Sequence, residues 1–290
     1  MTVYFMSLAS GSSGNCYYLG TKSYGILIDA GISTRKIKKT LKQYNIGMET
    51  IRAVFVTHDH ADHIKGVGML GEKLHIPVYT TSAIHKGINE NYCMRVKLTN
   101  SVRHLEKQQP FHLEDFCIES FEVPHDGTDN VGYSIDIFGI NFAFLTDLGE
   151  ITPTASKYIS KANYLVLEAN YDEEMLRMGT YPLYLKERIS GNRGHLCNRV
   201  TADFLANNYR EDLYHVWLCH LSRDNNHPEL VYKTIECKLK AMGVRVGKDI
   251  QIEPLKRTNP SPLYEITNSS HGVTIYESDV NAIIEKETTK

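Results

Sequence analysis

Apolar positions along the chain follow two rhythms. Near the N-terminus, residues 3–8, 16–19 and 24–28 are short apolar and aromatic runs parted by Gly and Ser, the mark of strands in an antiparallel opening. Residues 34–44 change to a helical period, with Ile37, Leu41 and Tyr44 on one face of an otherwise basic segment. Residues 53–56 form a short apolar strand that runs directly into a His-rich run, and a helix over 67–75 and a strand over 78–81 follow. The theme then repeats. Strands are predicted at 117–123, 133–138 and 142–146, the last two joined by a tight Gly139-Ile140 turn. Beyond them come a strand at 164–168, a helix at 199–208, a strand at 215–219, a long helix at 228–242 and a strand at 250–254. Two mixed sheets packed on each other, with helices outside, bury such a pattern. The expected fold class is α/β (α+β), in one domain over 1–255. After Leu255 the periodicity fades into the breaker cluster Asn259-Pro260-Ser261-Pro262 and a charged stretch from Ser278, so 256–290 is expected to be a peripheral or partly disordered C-terminal extension.

Composition narrows the setting. A hydrophobic fraction of 42% and a charged fraction of 23% are those of soluble globular proteins. A formal net charge of −2 gives no overall attraction to nucleic acid, so a polyanion would need a local positive site, which bound metal ions could help supply. There is no apolar run of about 18 residues, and no membrane span is expected. The start Met1-Thr2-Val3-Tyr4-Phe5 lacks the basic region of a signal peptide. Six cysteines (Cys16, Cys93, Cys117, Cys197, Cys219 and Cys237) are scattered without a C-x-x-C pair, as reduced thiols are, and a cytoplasmic location is expected.

The chemistry concentrates in His58-Asp59-His60-Ala61-Asp62-His63, directly after the apolar strand. A strand end opening into a loop lets several short side chains converge, and imidazole with carboxylate is the ligand set that borderline divalent ions such as Zn²⁺ prefer; carboxylate-rich sites also admit Mn²⁺.

This H-x-H-x-D-H run resembles the signature of metallo-β-lactamase-fold hydrolases, which implies an αββα sandwich with metals at strand ends between the sheets. Later segments continue the resemblance to about Leu255. Asp29 ends the run Ile26-Leu27-Ile28 like the family's early aspartate, which supports the metal loop. Pro124-His125-Asp126, Phe144-Leu145-Thr146-Asp147 and Trp217-Leu218-Cys219-His220 match the family's remaining ligand positions. The resemblance implies two divalent ions, Zn or Mn, one held by His58, His60, His125 and Asp147, the other by Asp62, His63, Asp147 and His220. A carboxylate shared by cations about 3.5–4 Å apart suits in-line displacement at phosphorus by a bridging hydroxide. Asp62 and His195 are the implied catalytic residues.

The fold alone does not choose a substrate. Oxidative members of the family tend to carry glutamate where His60 stands, and its β-lactamases generally lack the aspartate that Asp147 supplies. Gly194-His195-Leu196-Cys197-Asn198 resembles the G-H-L-[ST]-N motif of phosphodiesterase branches such as ribonuclease Z and the YycJ (WalJ) type, in which the histidine protonates the leaving oxygen; Cys197 departs from that motif. Ser10-Gly11-Ser12-Ser13-Gly14-Asn15, the segment from Glu168 to Leu176, and His220-Leu221-Ser222-Arg223 resemble the YycJ type in particular. That branch implies DNA as the substrate and exonuclease action from the 5′ end. Ser12, Asn15, Asn170, Arg188, Arg193 and Arg223 are the candidate substrate contacts, and Tyr171 and Tyr181 candidates for base stacking. A small-molecule or cyclic-phosphate phosphodiesterase, a glyoxalase II-like thioester hydrolase and a catalytically idle metal-binding scaffold stay open as alternatives, and the sequence carries no sign of the oligomeric state.

Overall fold

The computed structural model describes residues 1–269 and 272–278. Along the chain a first sheet forms from β1 (Thr2–Ala9), β2 (Cys16–Gly20), β3 (Gly25–Ile28), β4 (Ile51–Phe55), β5 (Val78–Thr80) and β6 (Val102–His104). A second follows from β7 (Phe111–Leu113), β8 (Phe116–Glu122), β9 (Val131–Ile137), β10 (Ile140–Leu145), β11 (Tyr164–Glu168), β12 (His215–Cys219) and β13 (Gln251–Pro254). The chain then returns to the first sheet with β14 (Leu263–Ser269) and β15 (Gly272–Ser278). The spatial orders are β15-β14-β1-β2-β3-β4-β5-β6 and β13-β12-β11-β10-β9-β8-β7. Each sheet is antiparallel in one half and parallel in the other.

Strands covered on both faces become continuous apolar runs rather than alternating ones. Hence β2 reads Cys-Tyr-Tyr-Leu-Gly and β3 Gly-Ile-Leu-Ile, every residue buried, and β11 and β12 are likewise buried throughout. Aromatic rings join the two sheets: Phe5 of β1 lies 4.1 Å from Trp217 of β12 and 6.1 Å from Phe144 of β10, centroid to centroid. Helices α1 (Thr34–Gln43), α2 (Ala61–Ile64), α3 (Val67–Leu74) and α4 (Ser82–Glu90) belong to the first half. Ile37, Leu41, Val67, Leu70, Ile84 and Ile88 join them to the core that fills the space between the sheets. In the second half come α5 (Pro153–Ile159), α6 (Glu173–Met178), α7 (Leu183–Ser190), α8 (Asn198–Asn207) and α9 (Pro228–Ala241). Of these, α5, α8 and α9 bury Ile159, Leu205, Val231, Ile235 and Leu239 in a second core with Leu165, Leu167, Val216 and Leu218 of the second sheet. This is the expected sandwich of two mixed sheets flanked by helices.

The segment after Leu255 departs from its expected peripheral character. Beyond the proline cluster, β14 pairs antiparallel with β1 (Thr2↔Thr267 to Phe5↔Tyr264), and Tyr264 and Ile266 are buried in the main core. The alternation Leu263-Tyr264-Glu265-Ile266-Thr267 fits a strand, which the preceding prolines obscured. His271 and, past residue 278, the charged tail lie outside the described residues. The cysteines are all free, and no helix among the described residues is long and apolar enough to cross a membrane.

Phe5 is fully buried and its ring meets aromatic rings of the opposite sheet. Phe5→Ala is expected to lower the unfolding free energy by about 3–5 kcal/mol, measured as a shifted denaturant midpoint at unchanged slope.

Candidate metal centre

The parallel strands end side by side, and each end delivers a polar residue. After β3, Asp29 turns into the left-handed region (φ 58°) while its N–H still bonds Phe55 of β4. Its fully buried carboxylate accepts from the Thr57 N–H (2.8 Å), the Thr57 hydroxyl (2.9 Å) and His63 Nδ1 (2.7 Å). After β4, His58 leads to His60, which caps the single turn α2, and that turn presents Asp62 and His63. Gly31 is required by close approach: a Cβ there would lie 1.5 Å from the Asp62 carbonyl oxygen. β8 leads to His125, β10 to Asp147 and β11 ends in Glu168. After β12, His220 takes a left-handed φ of 53°.

Each of the five histidines in the run, at 125 and at 220 has one ring nitrogen engaged by protein. Carboxylate and carbonyl oxygens only accept, so the imidazole must donate to them. His63 Nδ1 donates to Asp29, His125 Nδ1 to the Gly194 carbonyl (2.8 Å), and His220 Nδ1 to Asp147 (2.9 Å) and Glu168 (3.0 Å). His60 Nε2 faces Asp126 at 3.2 Å, and His58 Nδ1 meets the Thr57 hydroxyl at 3.0 Å, which itself donates to Asp29. The opposite nitrogens converge. His60 Nδ1 is 3.3 Å from His125 Nε2, His63 Nε2 is 3.1 Å from Asp147 Oδ2, and His220 Nε2 is 3.3 Å from Asp62 Oδ2. Ligand atoms of His58, His60 and His125, of His58, His63 and Asp147, and of Asp62, His63 and His220 fall within 4.8 Å of one another. His58 Nε2 is buried with no hydrogen-bond partner among the described residues, a costly state for a neutral imidazole unless it ligates a cation. Outer partners that fix each tautomer and turn the other nitrogen inward are the arrangement that metal-ligating histidines require.

Electrostatics divides the histidines. Burial disfavours the imidazolium at His58, His60 and His125 and lowers all three, His58 well below the ordinary range, so their lone pairs are free at neutral pH. At His63 burial is outweighed by Asp29, Asp147 and Asp62, and at His220 by Asp147, Asp62 and Glu168; both are raised well above the ordinary value. Asp147, against its own burial, is held well below the carboxylate range by His220 and His63. A bound cation would replace those protons as the partner of the carboxylates.

Other sequence candidates fall in different places. His195 joins the cluster: Nδ1 donates to Glu168 Oε1 at 2.7 Å, and the ring is 17% exposed. Glu168 also accepts from the N–H groups of Leu148 (3.0 Å) and Leu196 (3.2 Å) and is fully buried. Sequence reading passed over Glu168; the signal was a carboxylate closing an otherwise wholly apolar strand. Asn15 and Asn170 are buried supports instead of exposed contacts. Asn15 Nδ2 lies 2.9 Å from His63 Nε2, and Asn170 Nδ2 donates to the His220 carbonyl (2.8 Å). Arg193 puts Nε and Nη2 on the His125 carbonyl (3.0 and 2.9 Å), so its guanidinium fastens a ligand loop. Arg188 is about half exposed and holds Asp126 Oδ2 at 2.6 Å. Ser12 and Arg223 are exposed. Tyr171 is buried, and Tyr181 is tied by its hydroxyl to Asp224 (2.8 Å). Arg257 was not foreseen: it donates to the carbonyls of Leu221 (3.0 Å), Ser222 (2.6 Å) and Asn226 (3.2 Å), clamping the loop that follows His220.

Two mixed sheets with this His/Asp cluster at their strand ends define the class: the chain is a metal-dependent hydrolase of the metallo-β-lactamase fold. The beta-lactamase superfamily domain matches residues 24–207, and the chain belongs to that superfamily. It is 34% identical over 275 residues to the exodeoxyribonuclease YycJ of Bacillus anthracis, across 91% of this chain and 99% of the relative. The exodeoxyribonuclease WalJ of Streptococcus pneumoniae serotype 2 is 35% identical over 260 residues, across 89% and 96%. Among solved structures, Zn²⁺-bound PqqB from Methylobacterium extorquens superposes with a TM-score of 0.65 at 16% identity, covering 89% of this chain and 99% of its own. A diphosphatase of the PhnP family gives 0.61 at 15%, covering 89% and 97%. These two show the shared fold.

Asp29→Ala removes the acceptor that orients His63. It is expected to weaken divalent-ion affinity about 10–100-fold, read by chelator competition, with the far-ultraviolet circular dichroism of the wild type. Unchanged affinity would leave Asp29 a purely structural residue.

Proposed function

We propose that this chain hydrolyses phosphodiester bonds in DNA as an exonuclease acting 5′→3′. The observation that carries the chemistry is the His195–Glu168 pair beside the cluster. Glu168 accepts a hydrogen bond from the Nδ1–H of His195, which leaves the Nε2–H of the imidazolium to give its proton to a leaving oxygen. The DNA assignment draws on the two relatives named exodeoxyribonucleases, matched along about nine-tenths of this chain.

The convergence of His58, His60 and His125, of His58, His63 and Asp147, and of Asp62, His63 and His220 supports divalent-ion binding. On the family resemblance we assign two ions, one to His58, His60, His125 and Asp147 and the other to Asp62, His63, Asp147 and His220. When bound, such ions supply a water of lowered pKa and neutralise charge on a phosphate. The chain's own groups do the rest. Thr57 and Asp29 keep His58 and His63 in ligating orientation, Asn170 steadies His220, and Arg193 holds the His125 backbone. Against its own burial, the His195 and His220 imidazoles hold the Glu168 pKa below the ordinary value, and against the burial of His195 the Glu168 charge raises the His195 pKa.

Supplied with metal, the protein is expected to shorten linear duplex DNA from 5′ ends and to spare closed circles. Rapid turnover of S-lactoylglutathione or a cyclic phosphate with no action on DNA would overturn the proposal. Asp147→Ala should loosen both ions, measured by elemental analysis after gel filtration. His195→Ala should lower kcat on DNA about 10²–10⁴-fold with metal retained, and far less on bis-p-nitrophenyl phosphate, whose leaving group needs no proton. Glu168→Gln removes the charge that favours the imidazolium, so the His195 pKa falls and the alkaline limb of the kcat profile should move to lower pH.

A further inference from the structure

Between β11 and the Gly194-His195 loop stands an arm made of α6 and α7. Its inner side is fixed. Tyr181 and Ile189 pack on Tyr171, Leu176 and Cys197, and Lys186 Nζ donates to the Arg177 carbonyl at 2.8 Å. The outer side carries apolar groups that no other described residue covers: no residue of α7 is fully buried, Leu183 is 71% exposed and Tyr184 73% exposed. An eight-residue helix with no fully buried residue gains little from packing beyond the Ile189 contact. Tyr184 stands four residues before Arg188, so the two side chains leave the same helix face from backbone positions about one 5.4 Å turn apart. Arg188 in turn bonds Asp126, whose other oxygen faces His60 Nε2 at 3.2 Å. A strip of aromatic ring, guanidinium and carboxylate thus leads from solvent to the cluster.

We propose that this strip is a nucleotide subsite for the strand next to the scissile phosphate, with a base stacked on Tyr184 and its phosphate drawn onto Arg188. The proposal rests on the DNA reading above. An aromatic face and an arginine one turn apart match the two recognisable parts of a nucleotide, and stacking tolerates any base. The phosphate would compete with Asp126 for Arg188, so occupying the subsite releases Asp126 from the guanidinium while leaving it on His60. Overall charge supplies no such attraction, so binding depends on local groups of this kind.

The test uses the metal-supplied full chain with a short single-stranded oligonucleotide, the same oligonucleotide carrying an abasic nucleotide beside the bond cleaved, and bis-p-nitrophenyl phosphate as a reference without bases. Tyr184→Ala is expected to raise KM for the intact oligonucleotide about 10-fold relative to its effect on the reference, and to abolish the wild-type preference for intact over abasic strand. Tyr184→Trp should keep that preference. A Tyr184→Ala chain that discriminates the two strands as the wild type does overturns the subsite while the DNA reading stands. Wild-type chain that hydrolyses the reference but neither the oligonucleotide nor linear duplex DNA overturns both, and cleavage of duplex DNA with none of the single strand overturns the subsite alone. If Tyr184→Ala leaves KM unchanged but halves the mass measured in solution, the patch is a self-contact and the proposal fails.

Discussion

The centre depends on a single constraint: three carboxylates, those of Asp29, Asp147 and Glu168, are buried within one cluster and each must be compensated. An isolated buried carboxylate would cost many kcal/mol and would take up a proton instead. Here histidines, backbone N–H groups and a threonine hydroxyl surround them. Asp29 alone is met by three donors. Each of these carboxylates also aims an imidazole by one nitrogen: Asp29 holds His63, Asp147 and Glu168 hold His220, and Glu168 holds His195. The requirement to satisfy charge and the requirement to orient ligands are met by the same hydrogen bonds.

Strand geometry makes this possible. A strand that simply continued would carry its next side chain along the sheet. Asp29 and His220 instead take left-handed backbone, a conformation that costs a non-glycine residue roughly 1 kcal/mol or more and survives only where contacts over-determine it. Those contacts are present: Asp29 is held by its N–H to Phe55 and by its carboxylate, and the His220 N–H is bound by Ser10 (2.9 Å). One such turn lies at the end of each sheet, and the cluster sits between them.

Much of this was legible in the sequence, for physical reasons. The run from His58 to His63 is local, so spacing alone brings its ligands together, and the long apolar runs at β11 and β12 gave their bounds directly. Short helices such as α6 and α7 offer too few turns for a period to emerge, and α7 has no buried face to mark. The hold of Arg193 on the His125 carbonyl is not legible in the sequence, because a guanidinium beside a catalytic motif serves equally to bind phosphate or to hold a carbonyl. Only three-dimensional placement separates the two. The contact of Asn15 with His63 is hidden for a similar reason, since a glycine-rich loop near a metal can face either the substrate or the ligands.

The return of β14 to β1 bears on how the protein is made. Ser7 pairs with Ser261 across 254 residues, and the Arg257 carbonyl accepts from Ser10, in the loop that leads to Asn15. Contacts of such separation form late, because loop closure must precede them, and domains mature on the ribosome from the N-terminus. Through most of translation β1 is therefore an unpaired edge, and the loop after His220 lacks its Arg257 clamp. The nascent chain carries nearly all the ligand residues well before it can hold them still, so a competent centre is a property of the finished polypeptide.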